Sequence, residues 1–133
     1  MTKPASQQPE ASIILIIDED VIARSAVAAY LRQCGYTVIE AARETAATEM
    51  LNSPKFDIDI VICATNDMKS AERFEFAQWI REHHPAVRVL IAATVEKTAK
   101  LAADICEKGP HLRKPYEHQN LLDWIKRLRA KAD

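Results

Sequence analysis

Residues 13–20 read Ile13-Ile14-Leu15-Ile16-Ile17-Asp18-Glu19-Asp20. Five consecutive apolar residues, four of them isoleucine, are typical of a strand that is covered on both faces. The apolar run ends abruptly in three acids. The stretch therefore predicts a buried strand that runs directly into an acidic loop.

The chain beyond this strand alternates between helical periodicity and short apolar runs. Apolar residues recur at helical spacing from Ala23 to Cys34, and Gly35 ends that pattern. Further strands are predicted at 36–40, 58–63 or 64, 87–93 and 111–113, and further helices around 47–51, 76–83, 98–105 and 121–128. Strand and helix thus alternate five times, which predicts an α/β domain with a parallel sheet, right-handed crossovers and helices on both faces.

The length and composition favour one soluble domain. The chain has 133 residues, of which 48% are hydrophobic and 28% are charged. Residues 1–11 are polar and contain two prolines, so we expect a flexible tail there and a single domain over 12–133. The 18 Lys and Arg nearly balance the 19 Asp and Glu, so no overall field favours nucleic acid or a membrane. With no membrane-length apolar run and no export signal, we expect a cytoplasmic protein.

The basic and cysteine residues have simple structural interpretations. Basic side chains cluster over 126–131, which we interpret as the solvated face of the last helix. Cys34, Cys63 and Cys106 are far apart, and each lies in an apolar segment without metal-ligand spacing. We therefore expect all three cysteines to be reduced core residues.

Polar residues that could carry chemistry follow the predicted strands. In a parallel α/β sheet the functional site lies at the carboxyl ends of the strands. Asp18 and Glu19 could hold a hard cation such as Mg²⁺, whereas Asp20 is best placed to cap the first helix. Lys114, after the last predicted strand, could reach these acids, and Pro115 could hold a cis peptide that aims it.

This arrangement resembles the receiver domain of two-component response regulators, the CheY-like family, over residues 12–131. The residues that carry the resemblance are Ile16-Ile17-Asp18-Glu19-Asp20, Trp79-Ile80-Arg81-Glu82, Arg88-Val89-Leu90-Ile91 and Arg113-Lys114-Pro115-Tyr116. The resemblance implies a flavodoxin-like (βα)5 three-layer sandwich with the parallel strand order 2-1-3-4-5. Receivers take a phosphoryl group from a histidine kinase on an aspartate at the end of the third strand, next to a bound Mg²⁺.

The resemblance assigns the pocket positions residue by residue. The metal-holding acid pair falls on Asp18 and Glu19, the carbonyl that completes the metal shell on Asn66, and the phosphoryl-contacting lysine on Lys114. Three other positions depart from the family pattern. The phospho-acceptor falls on Ala64, the hydroxyl residue on Ala93 (or Thr94 in an alternative register), and the aromatic switch residue on His111.

Two alternatives to a degenerate receiver remain open at this point. Asp67, three residues after Ala64, could serve as a displaced phospho-acceptor, whereas Asp59 lies about 16 Å away at the other end of its strand. A flavodoxin-like flavin-binding protein or a small α/β enzyme is less favoured. Acids follow the first strand where a flavin phosphate needs a Gly- or Ser-rich loop, and the only glycines are Gly35 and Gly109.

The sequence therefore predicts a degenerate, phosphorylation-independent receiver that is not an enzyme and serves as a protein-interaction module. Its partner would be a histidine kinase, a phosphotransfer protein, an output protein or a second copy of the chain. Mg²⁺ binding would be weak or absent. The resemblance implies that the interaction surface comprises residues 97–107, 111–113 and 118–129. Trp124 on the last helix, near Arg127 and Tyr116, is either its anchor or a residue packed on the domain's own core.

Overall fold

The computed structural model describes residues 13–64, 70–108 and 118–132. This part of the chain contains four strands and five helices, and strand and helix alternate from the first strand to the fourth helix, as the sequence predicts. In chain order they are β1 (Ile13–Ile17), α1 (Val21–Gln33), β2 (Thr37–Ala41), α2 (Glu44–Asn52), β3 (Ile58–Cys63), α3 (Ser70–His83), β4 (Arg88–Ile91), α4 (Val95–Lys108) and α5 (His118–Ala132). The predicted tail at 1–11 and the predicted strand at 111–113 lie outside the described residues.

The four strands form one parallel sheet in the order β2-β1-β3-β4. Ile17 is level with Ala41 on one side and with Cys63 on the other, and Cys63 is level with Ile91. The strands therefore end together at one edge. The predicted α/β class and the order 2-1-3-4 are confirmed.

The core consists of two apolar layers, one on each face of the sheet. Alternate residues of β1 point to opposite sides, since side chains in a strand have a period of two. Ile14 and Ile16 pack against α1, α4 and α5, and we call this side the α1 face. Leu15 and Ile17 pack against α2 and α3, on what we call the α2 face. None of these four side chains is exposed, which explains the unbroken apolar run.

The helices α1, α2 and α3 lie where right-handed crossovers require them. The connection from β1 to β2 crosses the sheet in one direction, and the connections from β2 to β3 and from β3 to β4 cross it in the other direction. Since all three are right-handed, α1 must lie on the opposite face from α2 and α3. The fourth helix is different, because Ala99, Ala102 and Ile105 pack on the α1 face. A right-handed crossover to a strand beyond β4 would place α4 beside α3 instead. On the α2 face, Val89 and Ile91 of β4 are consequently only half-buried.

The prediction of three reduced cysteines is wrong for two of them. Cys34 and Cys106 form a disulfide, with their Cα atoms 5.6 Å apart, a separation typical of such bonds. The two residues are 72 positions apart in sequence, and only the packing of α4 against α1 brings them together. Cys63 is buried and takes no part in this disulfide.

Candidate functional site at the carboxyl edge of the sheet

The backbone ladder continues one residue beyond the strands at this edge. Asp18 donates its N–H to the carbonyl of Ala41 at 3.0 Å, Ala64 donates to Ile17 at 2.8 Å, and Ala92 donates to Cys63 at 3.0 Å. The residues after β1, β3 and β4 are therefore held side by side, at the spacing of neighbouring strands. The structure thus brings Asp18 and Ala64 together, as the sequence predicts for residues that follow adjacent parallel strands.

Asp18 is an acid with almost no exposure to water. Only 4% of its surface is accessible, and its Oδ1 accepts a hydrogen bond of 2.9 Å from the N–H of Asp20. Burial raises the pKa of Asp18 from 3.8 to about 6. The hydrogen bond from Asp20 and the guanidinium groups of Arg129 and Arg24 oppose the rise, and the charge of Asp20 adds to it.

Asp20 caps α1, which confirms the capping role predicted for it. Its Oδ1 accepts from the N–H groups of Ile22 at 3.0 Å and of Ala23 at 3.2 Å, the first donors of the helix. Its Oδ2 accepts from Nη2 of Arg129 on α5. Burial acts to raise the pKa of Asp20, but the bond from Arg129 and the two backbone N–H groups outweigh it, so the pKa is lowered.

Two arginines that the sequence does not single out compensate these acids. Arg129 belongs to the basic cluster that we interpreted as solvated, yet it reaches Asp20 across 109 positions of sequence. Arg24 on α1 donates from Nη1 to the carbonyl of Asp18 at 2.8 Å and from Nε to Oε1 of Glu40 at 3.1 Å. Neither contact has a local sequence signal, because each partner lies on another element of the fold.

Ala64 at the predicted acceptor position and Ala93 at the predicted hydroxyl position carry no reactive group. Ala64 is buried, with 4% exposure, and Ala93 is exposed. Thr94, the alternative hydroxyl residue, caps α4. Its Oγ1 accepts from the N–H of Lys97 at 3.1 Å, and its carbonyl accepts from the N–H and the hydroxyl of Thr98 at 3.0 and 3.1 Å.

The rest of the predicted pocket falls on residues that the structure leaves undescribed. Lys114, Asn66, His111 and the alternative acceptor Asp67 lie outside the described residues, as do Pro115 and Tyr116. Glu19 is described, and its side chain is exposed on the loop after β1.

The described donors fit a divalent cation poorly. Within 13–64, 70–108 and 118–132, no three His, Cys, Asp or Glu side chains are grouped so as to hold a metal ion. Asp20 has both oxygens engaged, and a methyl at position 64 adds no ligand to the pair Asp18 and Glu19. Hard cations such as Mg²⁺ need several oxygen ligands.

Comparison with known proteins places this geometry in a family. Residues 14–126 match the response regulator receiver domain. The chain belongs to that family, and the predicted resemblance is confirmed. It is a receiver domain of two-component signalling, a class of signalling modules rather than of catalysts in general. A comparison with curated protein sequences gives no match.

Solved structures show the same architecture. A response regulator from Thermotoga maritima is 25% identical over 90% of this chain and 98% of its own, with a TM-score of 0.58. A receiver domain protein from Clostridium thermocellum is 24% identical over 91% and 98%, with a TM-score of 0.55. The chemotaxis response regulator CheY4 of Vibrio cholerae is 23% identical over 89% and 98%, with a TM-score of 0.53. Among the described residues no helix is long and apolar enough to cross a membrane.

The raised pKa of Asp18 predicts a pH-dependent stability. Because the pKa is higher in the folded than in the unfolded state, the contribution of Asp18 is fully present below pH 4 and is lost as the pH rises through about 6. Asp18→Asn keeps an oxygen for the Asp20 N–H and removes the buried charge. In Mg²⁺-free buffer at pH 8 we expect it to raise the free energy of unfolding by up to about 3 kcal/mol.

Urea unfolding at pH 4, 6 and 8 measures the difference in the free energy of unfolding between wild type and Asp18→Asn. This difference should shrink toward zero at the lowest pH. Asp104→Asn, which removes an exposed acid from α4, is the matched control and should change little. A variant Asp18→Asn that is less stable than wild type at pH 8 contradicts the prediction.

Proposed function

We propose that this receiver domain is a phosphorylation-independent protein-interaction module. The observation that carries the proposal is Ala64, which directly follows β3 beside the buried Asp18, where receivers of this family have their phospho-accepting aspartate. A methyl group has no oxygen with which to form an acyl phosphate. The partner would be a histidine kinase, a phosphotransfer protein, an output protein or a second copy of the chain.

The surroundings of Ala64 support the same proposal. A receiver that responds to phosphate uses a hydroxyl after its fourth strand to contact the phosphoryl group. Here Ala93 has no hydroxyl, and the hydroxyl of Thr94, one residue later, accepts a capping bond from the N–H of Lys97. Arg24 and Arg129 offset part of the charge of Asp18 and Asp20. A pocket with two acids beside two arginines depends less on a bound cation than one with three carboxylates.

The alternative is a receiver with a displaced acceptor at Asp67. That residue lies three positions after Ala64 in sequence. Its carboxylate would have to enter a site that already holds two acids, which is electrostatically unfavourable. The two proposals differ in one observable, the formation of an aspartyl phosphate.

We therefore expect no phosphorylation by a small phosphodonor. The protein is incubated with acetyl phosphate and Mg²⁺, and its intact mass is measured at once, because acyl phosphates hydrolyse. A receiver with an intact acceptor aspartate is the positive control. We expect the mass of this chain to remain unchanged. A stoichiometric gain of one phosphoryl group, mapped to Asp67, would establish the alternative.

Restoring the acceptor alone should not restore the response. In the Ala64→Asp variant the hydroxyl at position 93 and the aromatic at position 111 are still missing. The intrinsic fluorescence and the partner affinity of this variant should be the same with and without acetyl phosphate. A phosphate-dependent change in either quantity would show that Ala93 and His111 do not limit switching.

Mg²⁺ binding should be weak, with a dissociation constant of about 1 mM or higher. Ala64 supplies no oxygen, and the guanidinium groups of Arg129 and Arg24 act on the charge of Asp18 that a cation would otherwise balance. Isothermal titration calorimetry at pH 7 measures the affinity for wild type, Glu19→Gln and Ala64→Asp. Only Ala64→Asp should bind appreciably more tightly. Tight binding by wild type that is lost in Glu19→Gln contradicts the prediction.

The proposed interaction surface is the outer side of α4 and α5, which pack against each other. Trp124 is half-buried and packs against the core of the α1 face. The exposed part of its ring is available to a partner, with the exposed Arg127 further along α5. Large aromatics flanked by arginine are frequent anchors of protein interfaces.

Replacing this anchor should weaken binding. We expect Trp124→Ala to lower the affinity for a purified partner, or for self-association, by at least about tenfold. Calorimetry or sedimentation velocity provides the measurement, together with a melting curve, because Trp124 also packs on the core. Arg127→Ala should weaken binding without changing the melting temperature.

Arg81→Ala, an exposed position on α3 across the sheet, is the control and should bind like wild type. If Trp124→Ala and Arg127→Ala also bind like wild type while remaining folded, the interaction surface lies elsewhere.

A further inference from the structure

The Cys34–Cys106 disulfide joins the ends of two helices on the α1 face. Cys34 is the C-cap residue of α1, where its N–H donates to the carbonyl of Leu31 at 3.0 Å. Cys106 lies in the last turn of α4. Both cysteines are buried, with 1% and 2% exposure. The bond therefore ties the carboxyl-terminal end of α1 to the carboxyl-terminal end of α4.

We propose that Cys34 and Cys106 form a reversible thiol–disulfide site that controls how firmly α4 is held on the α1 face. In the oxidised form the disulfide fixes the last turns of α4 to α1. In the reduced form these turns are released, while the sheet, α2 and α3 keep their structure. The site is independent of the chemistry at position 64.

One described hydrogen bond accompanies the disulfide at this end of α4. Tyr36, two residues after Cys34, donates from its hydroxyl to the carbonyl of Ile105 at 3.1 Å, and the side chain of Ile105 is buried on the α1 face. The buried side chains nearer the middle of α4, Ala99 and Ala102, are small, and each buries little apolar area. The disulfide and the Tyr36 hydrogen bond therefore link the α1–β2 turn specifically to the end of α4.

A partly open pocket lies beside these links. It has a volume of about 230 Å³, lies between the end of α4 and the sheet, and its lining includes Tyr36, Ile60, Leu101 and Lys108. The described last turns of α4 therefore do not close completely over β3 and β4, and a covalent link there helps to fix their position.

The chemistry of the switch is ordinary thiol–disulfide exchange. In oxidation, the two cysteine thiols react with one molecule of oxidised glutathione. Two S–H bonds and the glutathione S–S bond break, the Cys34–Cys106 bond forms, and two molecules of reduced glutathione leave with the two hydrogens. Reduction by dithiothreitol runs in the opposite direction, and the reagent becomes a cyclic disulfide.

The exchange should be slow. Both sulfurs are buried, and both lie at carboxyl-terminal helix ends, where the helix dipole disfavours the thiolate that must attack. Uncatalysed rearrangement of such a disulfide takes minutes to hours. Equilibration overnight is therefore needed before either state is measured.

The first test counts thiols. The protein is equilibrated with excess oxidised glutathione or with dithiothreitol, denatured in the presence of N-ethylmaleimide and weighed by mass spectrometry. The chain has three cysteines, so the reduced form should carry three maleimides and the oxidised form one, on Cys63. Three free thiols after oxidation, or a glutathione adduct in place of the internal bond, would overturn the proposal.

The second test locates the structural effect by hydrogen–deuterium exchange. On reduction, the backbone amides of α4 over residues 102–108 should exchange at least about tenfold faster, because these turns are no longer fixed to α1 and open more often. The exchange rates of the α2 amides should stay unchanged. The melting temperature should fall by about 10 °C, since the disulfide closes a long loop in the unfolded chain. Equal exchange of α4 in both forms would overturn the proposal even if the disulfide forms.

Cysteine variants complete the design. Cys34→Ser and Cys106→Ser should resemble the reduced protein under both conditions, and dithiothreitol should have no effect on them. Cys63→Ser should respond like wild type, because this residue is outside the disulfide. If a serine variant does not fold, the comparison of oxidised and reduced wild type still decides the outcome.

Discussion

The structure depends on the pairing of β1 with a parallel strand on each side. Ile14 to Ile17 have no exposure to water, and both edges of the strand are hydrogen-bonded. The backbone of Asp18 continues the ladder through its bond to Ala41, so its side chain is carried to the edge of the sheet before the chain reaches solvent. A buried carboxylate at this position is thus a consequence of how the central strand is held, and the surrounding charges compensate for it.

That compensation is partial, and Ala64 keeps a third charge out of the pocket. Asp18 and Asp20 repel each other, and the guanidinium groups of Arg24 and Arg129 oppose that repulsion. A third carboxylate at position 64 would add to the negative charge in the same small volume, which requires a cation. With alanine there, two acids are near two arginines that belong to the fold itself. This balance supports the proposal that the domain presents one fixed surface rather than one that phosphate switches.

Local sequence patterns predict the parts of this structure that depend on local physics. The isoleucine run identifies β1, and the spacing from Ala23 to Cys34 identifies α1. Gly35 is where the chain takes a positive φ of 102° after that helix. The capping role of Asp20 follows from the preference for aspartate at the N-cap of a helix. The position of Ala64 beside Asp18 follows from the predicted strand ends together with the strand order that the family resemblance implies.

The features that local sequence patterns do not predict depend on contacts between distant segments of the chain. The Arg129–Asp20 pair and the Cys34–Cys106 disulfide join residues 109 and 72 positions apart. Each residue alone has an ordinary local interpretation, as a solvated base or a core thiol. Helical periodicity shows which side of α4 is apolar, but it does not show which face of the sheet that side covers. The face of the sheet that α4 covers is therefore known only from the structure.

The position of α4 connects the two proposals. On the α1 face its small buried residues allow it to lie against α1 and α5, while Val89 and Ile91 on the opposite face of β4 remain half-buried. The α2 face therefore also offers an incompletely covered apolar strip. The disulfide and the Tyr36–Ile105 hydrogen bond add specific links on the α1 face. Because α4 forms half of the proposed interaction surface, the bond that fixes its last turns also fixes the shape that a partner meets.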